Sequence, residues 1–128
     1  MILDSSALVA IVLQEPAAER LLQRMREAPQ LGIGAATLLE AGIVLSARLQ
    51  ADARGLLARV LQEGGIAVVD FTEAHVSVAM DAWLRYGKGR HPAALNFGDC
   101  LAYATAVVAG APLLCVGDDF PQTDCPLT

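Results

Sequence analysis

Short apolar runs alternate with amphipathic stretches along the whole chain. The first run is Met1, Ile2 and Leu3, closed by Asp4; later runs lie at residues 30–34, 66–69 and 113–116. Apolar runs without polar alternation predict strands buried on both faces, and the first of them a strand in the middle of a parallel sheet. Between the runs the period changes to that of helices. Residues 7–13 are apolar and helix-prone, with Ser5 and Ser6 offering hydroxyls for an N-cap. Glu15–Pro16 marks a fresh start for an amphipathic helix over 17–28, with Leu21, Leu22 and Met25 on one side, stopped by Pro29. A long helix follows over 35–50, capped by Thr37 or the preceding loop, then another over 52–63 that Gly64–Gly65 ends. Thr72 begins a further helix that runs past Trp83. Residues 86–96, with Gly87, Gly89 and Pro92, read as an exposed loop. Residues 99–109 carry no charge after Asp99 and predict a deeply buried helix. The tail adds an edge strand near Cys125. Strands alternating with helices make a parallel α/β sheet with helices on both faces, in one domain.

Composition narrows this picture. The chain has 128 residues, 55% hydrophobic but only 5% aromatic, so its core is built of Ala, Leu, Val and Ile. No stretch reaches the roughly 18 apolar residues of a membrane span. The start has no basic segment and meets Asp4 too early for a signal peptide, so a cytoplasmic protein is expected. Cys100, Cys115 and Cys125 have no metal-ligand spacing. Cys100 and Cys115 lie in apolar runs and read as buried thiols, whereas Cys125 stays open. A net charge of -5 speaks against a plain nucleic-acid binder. Yet Arg85, Lys88, Arg90 and His91 form a local basic cluster, and bound cations offset clustered acids.

Four acidic positions sit beside apolar runs instead of on polar helix faces: Asp4 after the first strand, Glu40 early in the helix after the second, Asp99 at the start of the buried helix, and Asp118 or Asp119 after the last strand. Parallel strands present their carboxyl ends on one rim, where the following helices also begin, so all four can share a crevice. Two like charges 4 Å apart repel by roughly 4 kcal/mol at an effective dielectric of about 20. Either some of these carboxyls stay protonated or a divalent cation joins them. Oxygen donors without His or Cys favour Mg²⁺ or Mn²⁺. Such an ion activates water and stabilises in-line displacement at phosphorus, which is nuclease or phosphatase chemistry. Each acid also has a plainer reading: Asp4 as a helix cap, Glu40 as a solvated helix residue, Asp99 as a first-turn acid capped by Asn96, Asp118 and Asp119 as turn residues. Asp70, after the third strand, reads as structural.

The segments ILDSSALVAI, TLLEAGIVL, LNFGDCLAYATA and LLCVGDDF, with Thr123-Asp124 beyond them, occur in this order along the chain. Together they resemble PIN-domain ribonucleases, specifically the VapC toxins of bacterial and archaeal toxin–antitoxin systems. The resemblance implies a three-layer α/β/α fold around a mostly parallel sheet of four to five strands. It implies Asp4, Glu40 and Asp99 as the core acids around Mg²⁺ or Mn²⁺, and Asp119 as the fourth, with Asp118 a substitute. Ser6 would hold Asp4 by a hydrogen bond, and Asn96 would order the approach to Asp99. The expected activity is metal-dependent endoribonuclease, on tRNA or rRNA. The expected partners are a VapB-type antitoxin, whose C-terminal segment blocks the cleft, and a second copy in a homodimer. Arg85, Lys88, Arg90 and His91 would touch RNA phosphates. Trp83 reads as a core residue. A second reading is a non-catalytic binding module of the same fold, acting through its complex alone. A phosphoacceptor receiver domain would need a Lys after a late strand, which residues 113–120 lack. A haloacid-type phosphatase would need Asp-x-Asp, where this chain has Asp4-Ser5-Ser6.

Overall fold

In a computed structural model that describes residues 1–128, four short strands form one parallel sheet in the order β3-β2-β1-β4. The inner pair is β1 (Ile2–Leu3) and β2 (Leu31–Gly34); the edges are β3 (Ile66–Val69) and β4 (Leu113–Leu114). Ile2 pairs with Gly32 on one side and Leu113 on the other, and Leu3 pairs with Leu114. Two residues suffice for β1 because both are buried between neighbouring strands. The edge position of β3 shows in its sequence-to-burial pattern, since Ala67 and Val68 face solvent.

Alternation of side chains along the strands divides the core in two. Leu3, Leu114, Ile33 and Ile66 face α1 (Ser5–Val12), α2 (Ala18–Glu27), α3 (Ala35–Leu49) and α4 (Arg54–Gly64), meeting Leu8, Leu21, Leu45 and Leu57. Ile2 and Leu113 face the other way, toward α5 (Glu73–Tyr86) and α6 (Phe97–Ala109), where they join Ala82, Ala102, Tyr103 and Ala106. The result is three layers. No helix is long and apolar enough to cross a membrane.

Several expected boundaries move for local reasons. Helix α1 begins at Ser5, because Asp4 itself is the N-cap. Helix α2 begins two residues after Pro16, with Ala17 as an uncapped start. Gly34 precedes α3 directly, and Thr37 is buried inside the helix instead of capping it. Helix α5 continues to Tyr86, the first residue of the expected loop, and carries Arg85 of the basic cluster. Gly65 and Gly110 close α4 and α6 with φ of 63° and 61°, the left-handed values glycine adopts freely. The tail makes one parallel bridge, Leu113 with Leu127, and no strand. Trp83 is 40% exposed, not core, and Arg90 lies over its ring at 5.0 Å. Of the cysteines, Cys100 and Cys125 are buried, and Cys115 is half-buried.

Candidate metal and active site

The strand order places Asp4 at a reversal point: β1 has the next strand in sequence on one side and the last strand on the other. Open parallel sheets bind ligands there, outside the carboxyl ends of the strands. Asp4 is 4% exposed. Its Oδ2 accepts from the Ser6 hydroxyl at 2.6 Å and the Ser6 N–H at 3.2 Å. Its Oδ1 is buried and has no hydrogen-bond partner. Burial raises the Asp4 pKa, the Ser6 bonds oppose this, and the charge of Glu40 adds to the rise. An ionised carboxylate with one bare buried oxygen is costly, so a buried orphan of this kind marks a position for a cation or a proton. The expected contact of Ser6 with Asp4 is present, and the same hydroxyl accepts from the Val116 N–H at 3.0 Å. Ser6 thus ties Asp4 to the segment after β4.

Asp99 opens α6 in a reciprocal capping box. Asn96 Oδ1 accepts from the Asp99 N–H at 2.9 Å, and Asp99 Oδ2 accepts from the Asn96 N–H at 3.0 Å. The plainer reading of Asp99 as a first-turn acid is therefore true as far as it goes. It does not explain the electrostatics. Burial pushes the Asp99 pKa up to about 6; the Asn96 bond opposes this, and the charges of Asp4, Asp119 and Glu40 add to it. Three carboxylates from elsewhere in the chain thus act on Asp99. The Cys115 thiol lies among them: burial raises its pKa to about 11, Asp4, Asp99 and Asp119 raise it further, and Arg20 opposes them. Of the adjacent pair after β4, Asp119 is the one whose charge bears on both groups.

Glu40, on the second turn of α3, is half-buried against α6. A β-carbon at Gly98 would fall inside the Glu40 carboxylate, so the glycine beside Asp99 makes room for it. Sequence reasoning passed over Gly98. Its signal was a glycine in a helical first turn, where propensity disfavours it. Arg20 on α2, whose charge opposes the acids at Cys115, carries no sequence signal that sets it apart from the other charges of an amphipathic helix. As the side chains stand, no three acidic, His or Cys groups are close enough to share one ion. Neither Glu40 nor Asp119 is in a salt bridge, so no ion pair fixes their carboxylates. In chemistry the set suits a hard divalent cation: oxygen donors, a buried oxygen without a partner, and mutual repulsion that a cation relieves.

The basic cluster is less available than its sequence suggests. Arg85 Nη2 donates to Asp124 at 2.7 Å, Arg90 Nε donates to the Leu84 carbonyl at 3.0 Å, and His91 Nδ1 accepts from the Ala93 N–H at 3.0 Å. Lys88 is exposed. Beside Glu40 an open groove is lined by Leu39, Ile43, Val76, Met80, Trp83 and Phe97, with Phe97 80% exposed.

The chain is similar to known proteins in sequence and in fold. The profile of the PIN domain family matches residues 1–125. The ribonuclease VapC36 of Mycobacterium tuberculosis is 49% identical over 125 residues, covering 97% of this chain and 90% of that protein. The ribonuclease VapC of Mycolicibacterium smegmatis is 41% identical over 124 residues, covering 97% and 96%. Among solved structures, the M. tuberculosis toxin VapC20, described as cleaving the sarcin–ricin loop, superposes with a TM-score of 0.78 at 17% identity, covering 99% of this chain and 97% of that one. A toxin–antitoxin complex from Klebsiella pneumoniae gives 0.72 at 17% identity, covering 99% and 95%. The family profile spans nearly the whole chain, and these ribonucleases match it over 97% of its length at 41–49% identity: the chain belongs to the PIN-domain family, in its VapC branch.

Proposed function

We propose that this chain is the toxin of a VapBC-type pair, an endoribonuclease that hydrolyses RNA phosphodiester bonds with Mg²⁺ or Mn²⁺ in the cytoplasm. The observation that carries the reading is Asp4: a buried carboxylate at the sheet's reversal point, one oxygen held by Ser6 and the other bare, with the charge of Glu40 raising its pKa further. Asp4, Glu40, Asp99 and Asp119 are the residues that would hold the ion. Asp118 is the reserve, next in the chain and exposed. A divalent ion so held supplies Lewis acidity at the phosphodiester and an activated water. The protein's own residues do the rest. Ser6 fixes the orientation of Asp4, and Asn96 fixes Asp99 through the capping box. Of the basic cluster, Lys88 is the member best placed to meet RNA phosphate, since Arg85 and Arg90 are engaged within the fold.

The apolar groove beside Glu40 supports a polypeptide partner as well. Contiguous exposed apolar side chains of this kind mark interaction surfaces. A VapB-type antitoxin and a homodimer are the partners the family supplies. This groove is also what favours the second reading, a module that acts through complex formation alone.

Induced expression in a bacterial host separates the two. The nuclease reading predicts growth arrest by the wild-type chain, no arrest by Asp99→Asn at equal protein level, and relief by co-expressed cognate antitoxin. Arrest that persists undiminished in Asp99→Asn would support the binding module instead.

A further inference from the structure

Asp118 and Asp119 stand on an exposed segment between β4 and the 3₁₀ turn Phe120–Gln122. That segment is anchored at both ends. Upstream, the Val116 N–H donates to Ser6 Oγ at 3.0 Å, the hydroxyl that also holds Asp4. Downstream, the anchor is Asp124. The Tyr103 hydroxyl donates to Asp124 Oδ1 at 2.6 Å, and Arg85 Nη2 donates to Oδ2 at 2.7 Å. Tyr103 lies four residues after Asp99 on α6, hence on the same helix face. Between the anchors the chain has little freedom. Phe120 is buried, Thr123 Oγ1 donates to the Phe120 carbonyl at 2.7 Å, and the same oxygen accepts from the Cys125 N–H at 3.1 Å.

We infer that Tyr103 and Asp124 are positioning residues: their bond, backed by Arg85, sets where Asp119 stands relative to Asp99. This rests on the acid site proposed above and extends it to two side chains that touch neither ion nor RNA. The two bonds to Asp124 are unequal. Tyr103 is 4% exposed, so its hydrogen bond is shielded. The Arg85–Asp124 pair has side chains 52% and 51% exposed, and exposed ion pairs contribute little alone. The tyrosine hydroxyl is therefore the main anchor and the guanidinium an accessory.

Tyr103→Phe removes only the hydroxyl and keeps the ring in its packing. Hydrogen exchange of the amides of residues 117–122 and Mn²⁺ affinity, measured by titration, report on the segment without any need for RNA cleavage. Wild type, Tyr103→Phe, Asp124→Ala and the double variant are compared. Loss of a group bonded directly to a metal ligand costs about 10–100-fold in metal affinity; Tyr103 acts one step further out, through Asp124, so Tyr103→Phe is expected to lose affinity at the lower end of that range, about tenfold. Exchange over 117–122 is expected to rise at least about tenfold while β1 and β2 exchange as in wild type, and the double variant is expected to be no worse than Asp124→Ala alone. Wild-type exchange and affinity in Tyr103→Phe would overturn the inference. So would exchange raised equally in β1 and β2, which marks general destabilisation, or additive losses in the double variant. A wild-type protein that cuts no RNA would overturn the nuclease reading and leave these measurements to decide the placement of Asp119 by themselves.

Discussion

At Asp99 the fold works against the ionised carboxylate. The group's pKa rises from the ordinary 3.8 to about 6, so the native state holds its proton more tightly than the unfolded chain does. Between pH 3.8 and about 6 the native state binds more protons than the unfolded state, and stability falls as pH rises through that window. Above the window the full penalty is present. Asp99→Asn removes it and keeps an oxygen for the Asn96 N–H. The variant is therefore expected to melt higher than wild type at pH 7.5, with the difference shrinking toward pH 4, and to lose RNA cleavage. Paired thermal melts at the two pH values check this; a variant that melts lower at pH 7.5 would contradict it. Its neighbour gives a complementary case. Gly98→Ala should gain up to about 1 kcal/mol of helix propensity, but the new β-carbon occupies the place of the Glu40 carboxylate. Glu40 is the flexible end of a long side chain and yields. The expected result is an unchanged or raised melting temperature with cleavage reduced at least about tenfold, the scale on which small misplacements of a reacting geometry act. Normal cleavage by Gly98→Ala would show that the seat of Glu40 is unimportant.

Elements meet tightly where the site is built. Gly34 ends β2 and caps α3, and a β-carbon there would stand 2.7 Å from Thr105 Oγ1 on α6. Thr105 is buried and its hydroxyl donates to the Leu101 carbonyl at 2.9 Å, so it cannot swing away cheaply. Gly34→Ala is expected to cost about 1–3 kcal/mol by overpacking, and Thr105→Ala in the same chain to recover part of it. Denaturant melts of the single and double variants measure this; purely additive losses would place the strain elsewhere. The elements themselves were readable in the sequence because their signals are local. Apolar runs gave all four strands, Asp4-Ser5-Ser6 gave the strand–helix junction, and Asn96 gave the N-cap three residues before Asp99. What escaped depends on which helix faces which. Trp83 lies on a helix whose apolar side is wider than its core contact, so it is exposed where burial was expected. The engagement of Arg85 by Asp124 spans 39 residues of sequence. The fit of Glu40 against Gly98 joins two helices that no periodicity connects.

At the scale of the whole molecule, a chain with net charge -5 collects acids from four segments onto one rim and leaves an apolar groove beside them. What was legible is the rim: parallel strands that end together put the segments bearing Asp4, Glu40, Asp99 and the Asp118–Asp119 pair on the side of the sheet where ligands bind. The choice between Asp118 and Asp119 is not legible there, because it turns on the path of an exposed segment. The account requires that the acids serve a cation and that the cation serves RNA hydrolysis. Cleavage of total bacterial RNA by the purified, antitoxin-free chain tests this most directly, run with Mg²⁺, with Mn²⁺ and with chelator, beside Asp4→Asn. The account predicts discrete fragments with at least one of the metals, none with chelator, and none from the variant. Cleavage that survives chelation, or a folded wild-type chain that cuts nothing with either metal, would contradict it.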